Sequence, residues 1–148
     1  MPVVSHHSVA PPASVFAVLA DGERYADWVV GAKKIRSVDP HWPTPGAELR
    51  HKVGIGPIEI SDRSTVQAVE VGRSITLKVR ARPAGVARVD ISLAPAEDGG
   101  TDISMDEVPI EGLAKTLDNP LQRLLLKGRN AEALRRLATI AETEVRQS

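Results

Sequence analysis

Cysteine is absent from the 148 residues. That excludes disulfides, thiol nucleophiles and thiolate metal sites. It fits a reducing compartment, so a cytoplasmic protein is the expectation. Net charge is missing too. The 19 Lys and Arg balance 19 Asp and Glu, and no long basic run occurs, so nothing marks a nucleic-acid surface. No apolar run approaches the ~20 residues of a membrane span. The apolar stretch Val15–Ala20 is short and no Lys or Arg precedes it, so no signal peptide is expected. The four histidines lack HExxH-type spacing. His6 and His7 are adjacent and would face opposite sides of a strand, so no metal is expected. GxSxG, the serine-hydrolase signal, is absent. The "VGIGP" segment (53–57) lacks the glycine spacing and following helix of a phosphate loop and reads as a hairpin turn. No cofactor is expected.

Aromatic residues are scarce as well. Phe16, Tyr25, Trp28 and Trp42 are the whole set, and they are confined to positions 16–42. That segment either plugs a core or lines the entrance to a pocket. Large rings are usually buried for packing, yet aromatic walls with few polar groups also suit ligand pockets.

A chain of 148 residues favours one domain, spanning 1–148. It can bury roughly 70% of its unfolded surface, enough for a core without staples. Residues 2–10 read as a strand, broken by Pro11 and Pro12. Residues 13–20 and 23–30 read as two short helices, the second ended by Gly31. Six strands follow, at 32–39, 46–55, 58–71, 74–82, 86–94 and 101–108. The turns WPTPG (42–46), GIGP (54–57), VGR (71–73), RPAG (82–85) and EDGG (97–100) separate them. Short turns imply antiparallel hairpins. Ile75, Leu77, Val79 and Ala81 alternate with Thr76, Lys78, Arg80 and Arg82, so one face is covered and one is wet. The charged outer face, with Lys78, Arg80, Arg82 and Arg88, argues against pairing through the sheet. Monomer and homodimer both stay open. Asp118-Asn119-Pro120 marks a helix start. The helix then runs to about Val145, with Leu121, Leu124, Leu125, Leu134, Leu137, Ala141 and Val145 as its apolar stripe.

This order predicts an α+β fold. A curved antiparallel sheet of about seven strands wraps around a long C-terminal helix, with two short helices after strand 1. The arrangement resembles the helix-grip fold of the START-like (SRPBCC) superfamily, and within it the polyketide cyclase/dehydrase branch. Three stretches carry the resemblance: "PPASVFAVLADGERYADWVVG", "WPTPGAELRHKVGIGP" and "GGTDISMDEVPIEG". The resemblance implies a deep cavity between sheet and helix that holds a hydrophobic small molecule such as a lipid or polyketide. Fold alone does not settle function.

Alternation places several polar groups on the inward face. Leu49, His51 and Val53 share a side. So do Ile58, Ile60, Asp62, Ser64 and Val66, and likewise Ile103, Met105 and Glu107. His51, Asp62 and Glu107 therefore sit where core is expected. Each needs a partner, water or ligand. A histidine near a carboxylate can act as general acid or base. Equally, these groups pair with each other or lie at wet strand ends. On the helix, Gly128 and Ala131 fall near the expected inner side. They allow either close backbone packing or room for a ligand. The expected ligand contacts are Tyr25, Trp28, Trp42, His51, Val53, Leu77, Val79, Met105, Glu107, Leu124, Gly128 and Ala131. Three functions follow: a carrier of an apolar molecule, an acid–base cyclase or dehydrase using His51, Asp62 or Glu107, and an interaction module with a filled core.

Overall fold

The computed structural model describes residues 3–55, 57–81, 85–112 and 119–147. The chain begins with β1 (Val3–Ser8), α1 (Pro12–Ala20), a 3-10 turn (Gly22–Arg24) and the single turn α2 (Tyr25–Trp28). Then come β2 (Ala32–Val38), β3 (Glu48–Ile55), β4 (Ile58–Glu70), β5 (Ser74–Ala81), β6 (Gly85–Pro95) and β7 (Thr101–Glu111). Helix α3 (Pro120–Gln147) ends the chain. The strands form one antiparallel sheet in the order β1-β7-β6-β5-β4-β3-β2. The expected helix-grip architecture is present. The second short helix is smaller than the 23–30 expected, because α2 stops at Trp28 and Gly31 takes φ 98°, a conformation open chiefly to glycine.

Register decides which side chains face the helix. The β3–β4 pairing runs unshifted from Glu48↔Thr65 to Ile55↔Ile58, so His51 stands opposite Asp62. Bulges occur elsewhere, in β2–β3, at Val66/Ala68 and at Val86/Ala87. Such bulges bend strands and sharpen twist, which a sheet gripping a helix requires. Along β7, Ile103 and Met105 are buried, as the period of two predicts.

Helix α3 starts where the cap signal placed it. Asn119 Oδ1 accepts the Gln122 backbone N–H at 2.8 Å, and Pro120 occupies the first helical position. Its C-terminal half is tied down by polar contacts to the opening of the chain. Glu142 accepts the Ser8 hydroxyl at 2.8 Å and the Val9 N–H at 3.2 Å, and Arg24 pairs with Glu144. These contacts set the rotation of α3 about its own axis.

That rotation corrects the expected stripe. The buried arc is Asn130, Ala133, Leu134, Leu137, Ala138 and Ala141. Leu121, Leu124, Leu125 and Val145 are exposed. Leu134, Leu137 and Ala141 were placed correctly. Leu121 and Leu124 belong to the opposite arc, because a 100° step per residue carries them to the far side of the helix from 130 and 133. Buried apolar side chains such as Leu137 each contribute about 1.5–3 kcal/mol, so the buried arc and not the leucine count governs the docking.

Candidate functional site

Under the N-terminal half of α3 lies a cavity of about 500 Å³. Its floor is sheet: His51 from β3, Leu77 and Val79 from β5, Val86, Ala87 and Val89 from β6, and Met105, Glu107 and Pro109 from β7. Its roof is α3, through Gln122, Leu125, Leu126, Arg129, Asn130 and Ala133. Tyr25 and Trp28 of α2, with Val29 and Val30, close one end. Gly85 borders the floor with φ 122°. A Cβ there would collide with the Glu111 carbonyl, so glycine lets β6 begin hard against β7.

The aromatic end of the cavity contains a chain of polar groups. The Tyr25 and Ser64 hydroxyls share a 2.6 Å hydrogen bond, and Ser64 Oγ lies 3.4 Å from His51 Nε2. The Tyr25 ring packs 5.2 Å from the His51 ring and meets Trp28 edge-on at 5.6 Å. Burial pushes the Tyr25 phenol up to about 12, so it is a neutral donor or acceptor; the Ser64 hydrogen bond opposes this shift. Burial also lowers the His51 imidazole below its ordinary value, against the pull of the Asp62 carboxylate. His51 is therefore neutral at pH 7. Its Nδ1 is buried without a hydrogen-bond partner among the described residues.

The two inward carboxylates are both engaged. Arg80 Nε donates to Asp62 Oδ1 at 2.6 Å, and the Asp62 side chain is fully buried. Asp62 does not line the cavity, although it stands across the strand pair from His51. Glu107 lines the cavity, and Arg129 reaches both of its oxygens at 2.8 Å. Of the three acid–base candidates, Asp62 and Glu107 are each paired with an arginine, and His51 has no ion pair among the described residues.

Tyr25, Trp28, His51, Leu77, Val79, Met105 and Glu107 thus come together around one space. The Val53 side chain lies outside the described residues. Trp42 does not line the cavity. Its indole N–H donates to the Leu19 carbonyl at 3.3 Å, which anchors the β2–β3 connection to α1. The aromatic segment therefore splits, with Tyr25 and Trp28 as wall and Phe16 and Trp42 as packing. Leu124, Gly128 and Ala131 also lie elsewhere, on the α3 arc that faces Val3, Val4 and Ser5 of β1. Gly128 has nothing within 4 Å of where a Cβ would stand, so it does not serve close backbone packing.

Sequence reasoning missed the roof residues Leu126, Arg129, Asn130 and Ala133. A signal existed. Counting back from Leu137 by helical steps of three and four gives 134, 133, 130 and 126. Polar Arg129 and Asn130 on that arc disguised it, and the run Leu124-Leu125-Leu126 offered a competing phase.

A model of the family described as polyketide cyclase / dehydrase and lipid transport matches residues 3–142. No curated protein matches the sequence. Solved structures share the fold at low identity. Ara h 8.0201 aligns with TM-score 0.71 at 15% identity, over 95% of this chain and 96% of that one. The di-domain ARO/CYC StfQ from the steffimycin biosynthetic pathway gives 0.72 at 12%, over 97% of this chain and 50% of that one. DynU16, from the dynemicin biosynthetic locus, gives 0.69 at 20%, over 96% and 47%. The chain spans about half the length of the latter two.

Proposed function

The chain belongs to the polyketide cyclase / dehydrase and lipid transport family, and on that premise we propose that it holds an apolar small molecule in the cavity between sheet and α3. The observation that carries this reading is the cavity itself. About 500 Å³ lined by Val, Leu, Ala, Met and two aromatic rings lies within the usual range for ligand pockets, and its few polar groups are of the kind that fix orientation. A space of this size beneath α3 is at odds with the solid interior that an interaction module would have, and favours a ligand. In this reading Tyr25, Trp28, Leu77, Val79 and Met105 supply apolar contact, and one domain carries the role.

The test is native mass spectrometry of the protein purified from its own host, followed by extraction of whatever is bound. A co-purifying apolar molecule supports the reading. A ligand-free protein that also ignores a panel of lipids and aromatic polyketides in Trp28 fluorescence would overturn it.

One observation favours a catalytic second reading. His51 is neutral, buried and linked through Ser64 to Tyr25, which suits a general base acting on a bound substrate. Asp62 and Glu107 are held by arginines, so acid–base work falls to His51. His51→Ala abolishes turnover if this reading holds, whereas Glu107→Gln alters affinity more than rate. In a carrier both variants change affinity alone.

A further inference from the structure

Net charge is zero, yet the sheet register gathers positive charge on one face. On the outer, convex side of the sheet, like charges stand directly opposite one another in three successive rows. Lys34 faces Lys52. Arg50 faces Arg63, which faces Arg80. Lys78 faces Arg88. Facing residues in an antiparallel ladder have Cα atoms about 4.5–5.5 Å apart, and like charges there destabilise the sheet. The buried residues of the inner face fix the register but leave the outer residues open to choice. A solvated face needs only polar side chains, and opposite charges across the strands would stabilise it. Solvation alone therefore does not account for three rows of one sign.

Carboxylates offset only part of this charge. Asp62 holds Arg80, and Asp90 holds Arg88. Arg50 and Arg63 share one carboxylate, Glu48, at 2.9 and 3.9 Å. Lys78 lies 3.9 Å from Glu111. Arg36 reaches the Ser61 hydroxyl at 2.9 Å, and neither Arg36 nor Lys34 meets a carboxylate among the described residues. The side chains of Arg50, Arg63 and Lys78 are each about half exposed. Part of the balancing negative charge lies at the far edge of the sheet, where Asp98 and Asp102 flank His7. The neutral chain thus carries a cationic field over β2–β5, and such a field steers an oppositely charged partner.

We infer that the outer face of β2–β5 docks an acidic protein, whose side-chain carboxylates take up Arg36, Arg50 and Arg63. Guanidinium groups match carboxylates in a bidentate fork. Other polyanions fit this face less well. All four aromatic side chains lie outside its strands, so it has no stacking platform for single-stranded nucleic acid. A convex sheet presents no helix or ribbon to the groove of a duplex. Across β2–β5 the three rows hold only Lys, Arg, Ser, Thr and Glu, so no apolar side chain stands there to enter a bilayer. The contact is polar, transient and sensitive to salt. It is separate from the cavity, whose floor is the opposite face of the sheet.

The experiment measures fluorescence anisotropy of fluorescein-labelled poly-L-glutamate with the full chain at low salt. Arg50→Gln with Arg63→Gln removes two cations from the face. Lys127→Gln with Arg146→Gln removes two exposed cations from α3 and matches the change in net charge. The wild type is expected to bind, the face variant about tenfold more weakly, and the α3 variant like the wild type. Arg63→Gln alone should raise the melting temperature, because it relieves a like-charge row; a purely structural arginine would lower it. Poly-glutamate that ignores the wild type overturns the proposal. So does an equal loss of affinity in the two double variants, or a lower melting temperature for Arg63→Gln. Tighter binding of duplex DNA or of phosphatidylglycerol vesicles, lost in the same face variant, overturns the acidic-protein partner in favour of a nucleic acid or a membrane. If the face variant fails to fold by circular dichroism, Arg36→Gln takes its place, and loss of affinity there is again the expected result.

Discussion

The Arg129 guanidinium, on the roof of the cavity, reaches both carboxylate oxygens of Glu107, on its floor, at 2.8 Å. This pair joins α3 to β7 beside the apolar space. The Glu107 side chain is 12% exposed and Arg129 43%, so the pair is half screened by water. Removing one partner leaves a largely buried carboxylate alone, which costs more than removing both. Arg129→Leu is expected to destabilise by roughly 1–2 kcal/mol in urea unfolding. The double variant with Glu107→Leu should recover most of that loss. A double variant no more stable than the single one would show that the pair adds little.

Tyr25 is the only tyrosine in the chain, so ultraviolet absorbance reads its ionisation directly. Burial pushes its phenol up to about 12. A raised acid pKa means that the unfolded chain ionises first, so Tyr25 weakens the fold as pH rises past the ordinary 10.0. Alkaline titration of the folded protein should give a midpoint near 12, or a cooperative step when the fold opens. A smooth midpoint near 10 would place the ring in water and away from the Ser64–His51 chain.

His7 bridges two carboxylates on the other face of the sheet, with Nδ1 2.9 Å from Asp102 and Nε2 2.8 Å from Asp98. The hydrogen bonds to Asp102 and Asp98 raise its pKa above 6.5. The Gly100 backbone N–H, then His7, lower that of Asp98 below 3.8. The His7 contribution is complete below pH 6.5 and is lost as pH rises through the folded value. The Asp98 contribution is complete above pH 3.8 and is lost as pH falls through its folded value. The clamp is strongest between those limits. Thermal melts from pH 5.5 to 8.5 should therefore show the wild type losing more stability than His7→Gln as pH rises. Buried His51, whose pKa is lowered, acts in the opposite direction but equally in both proteins. Parallel curves would remove the clamp from the account.

The phase of α3 is testable by two substitutions of opposite sign. Gly128 sits mid-helix with open space where a Cβ would stand. Gly128→Ala should stabilise by about 1 kcal/mol through helix propensity. Leu137 is fully buried, and Leu137→Ala should cost about 2–5 kcal/mol. Denaturant midpoints measure both. A destabilising Gly128→Ala would mean that this arc of the helix is covered.

Strand positions, the hairpin turns among the described residues and the start of α3 were legible because their causes are local. A period of two, a glycine at positive φ and an Asn-Pro cap act over a few residues, so one stretch of sequence contains the whole signal. Alternation also placed His51, Leu77, Val79, Met105 and Glu107 on the lining correctly, since no bulge interrupts β3–β4 and the one in β6–β7 lies at Val86/Ala87, beyond Glu107. What the sequence left open is what depends on distant partners. Asp62 finds Arg80, and Glu107 finds Arg129 twenty-two positions away. Trp42 turns to a carbonyl of α1, and contacts from Ser8 and Arg24 to the end of α3 set the helix rotation. A helix with several apolar arcs can present any of them to the sheet, and the tertiary contacts select the one that buries Leu134 and Leu137. That selection turns Asn130 and Arg129 toward the cavity and the leucines at 121 and 124 toward water.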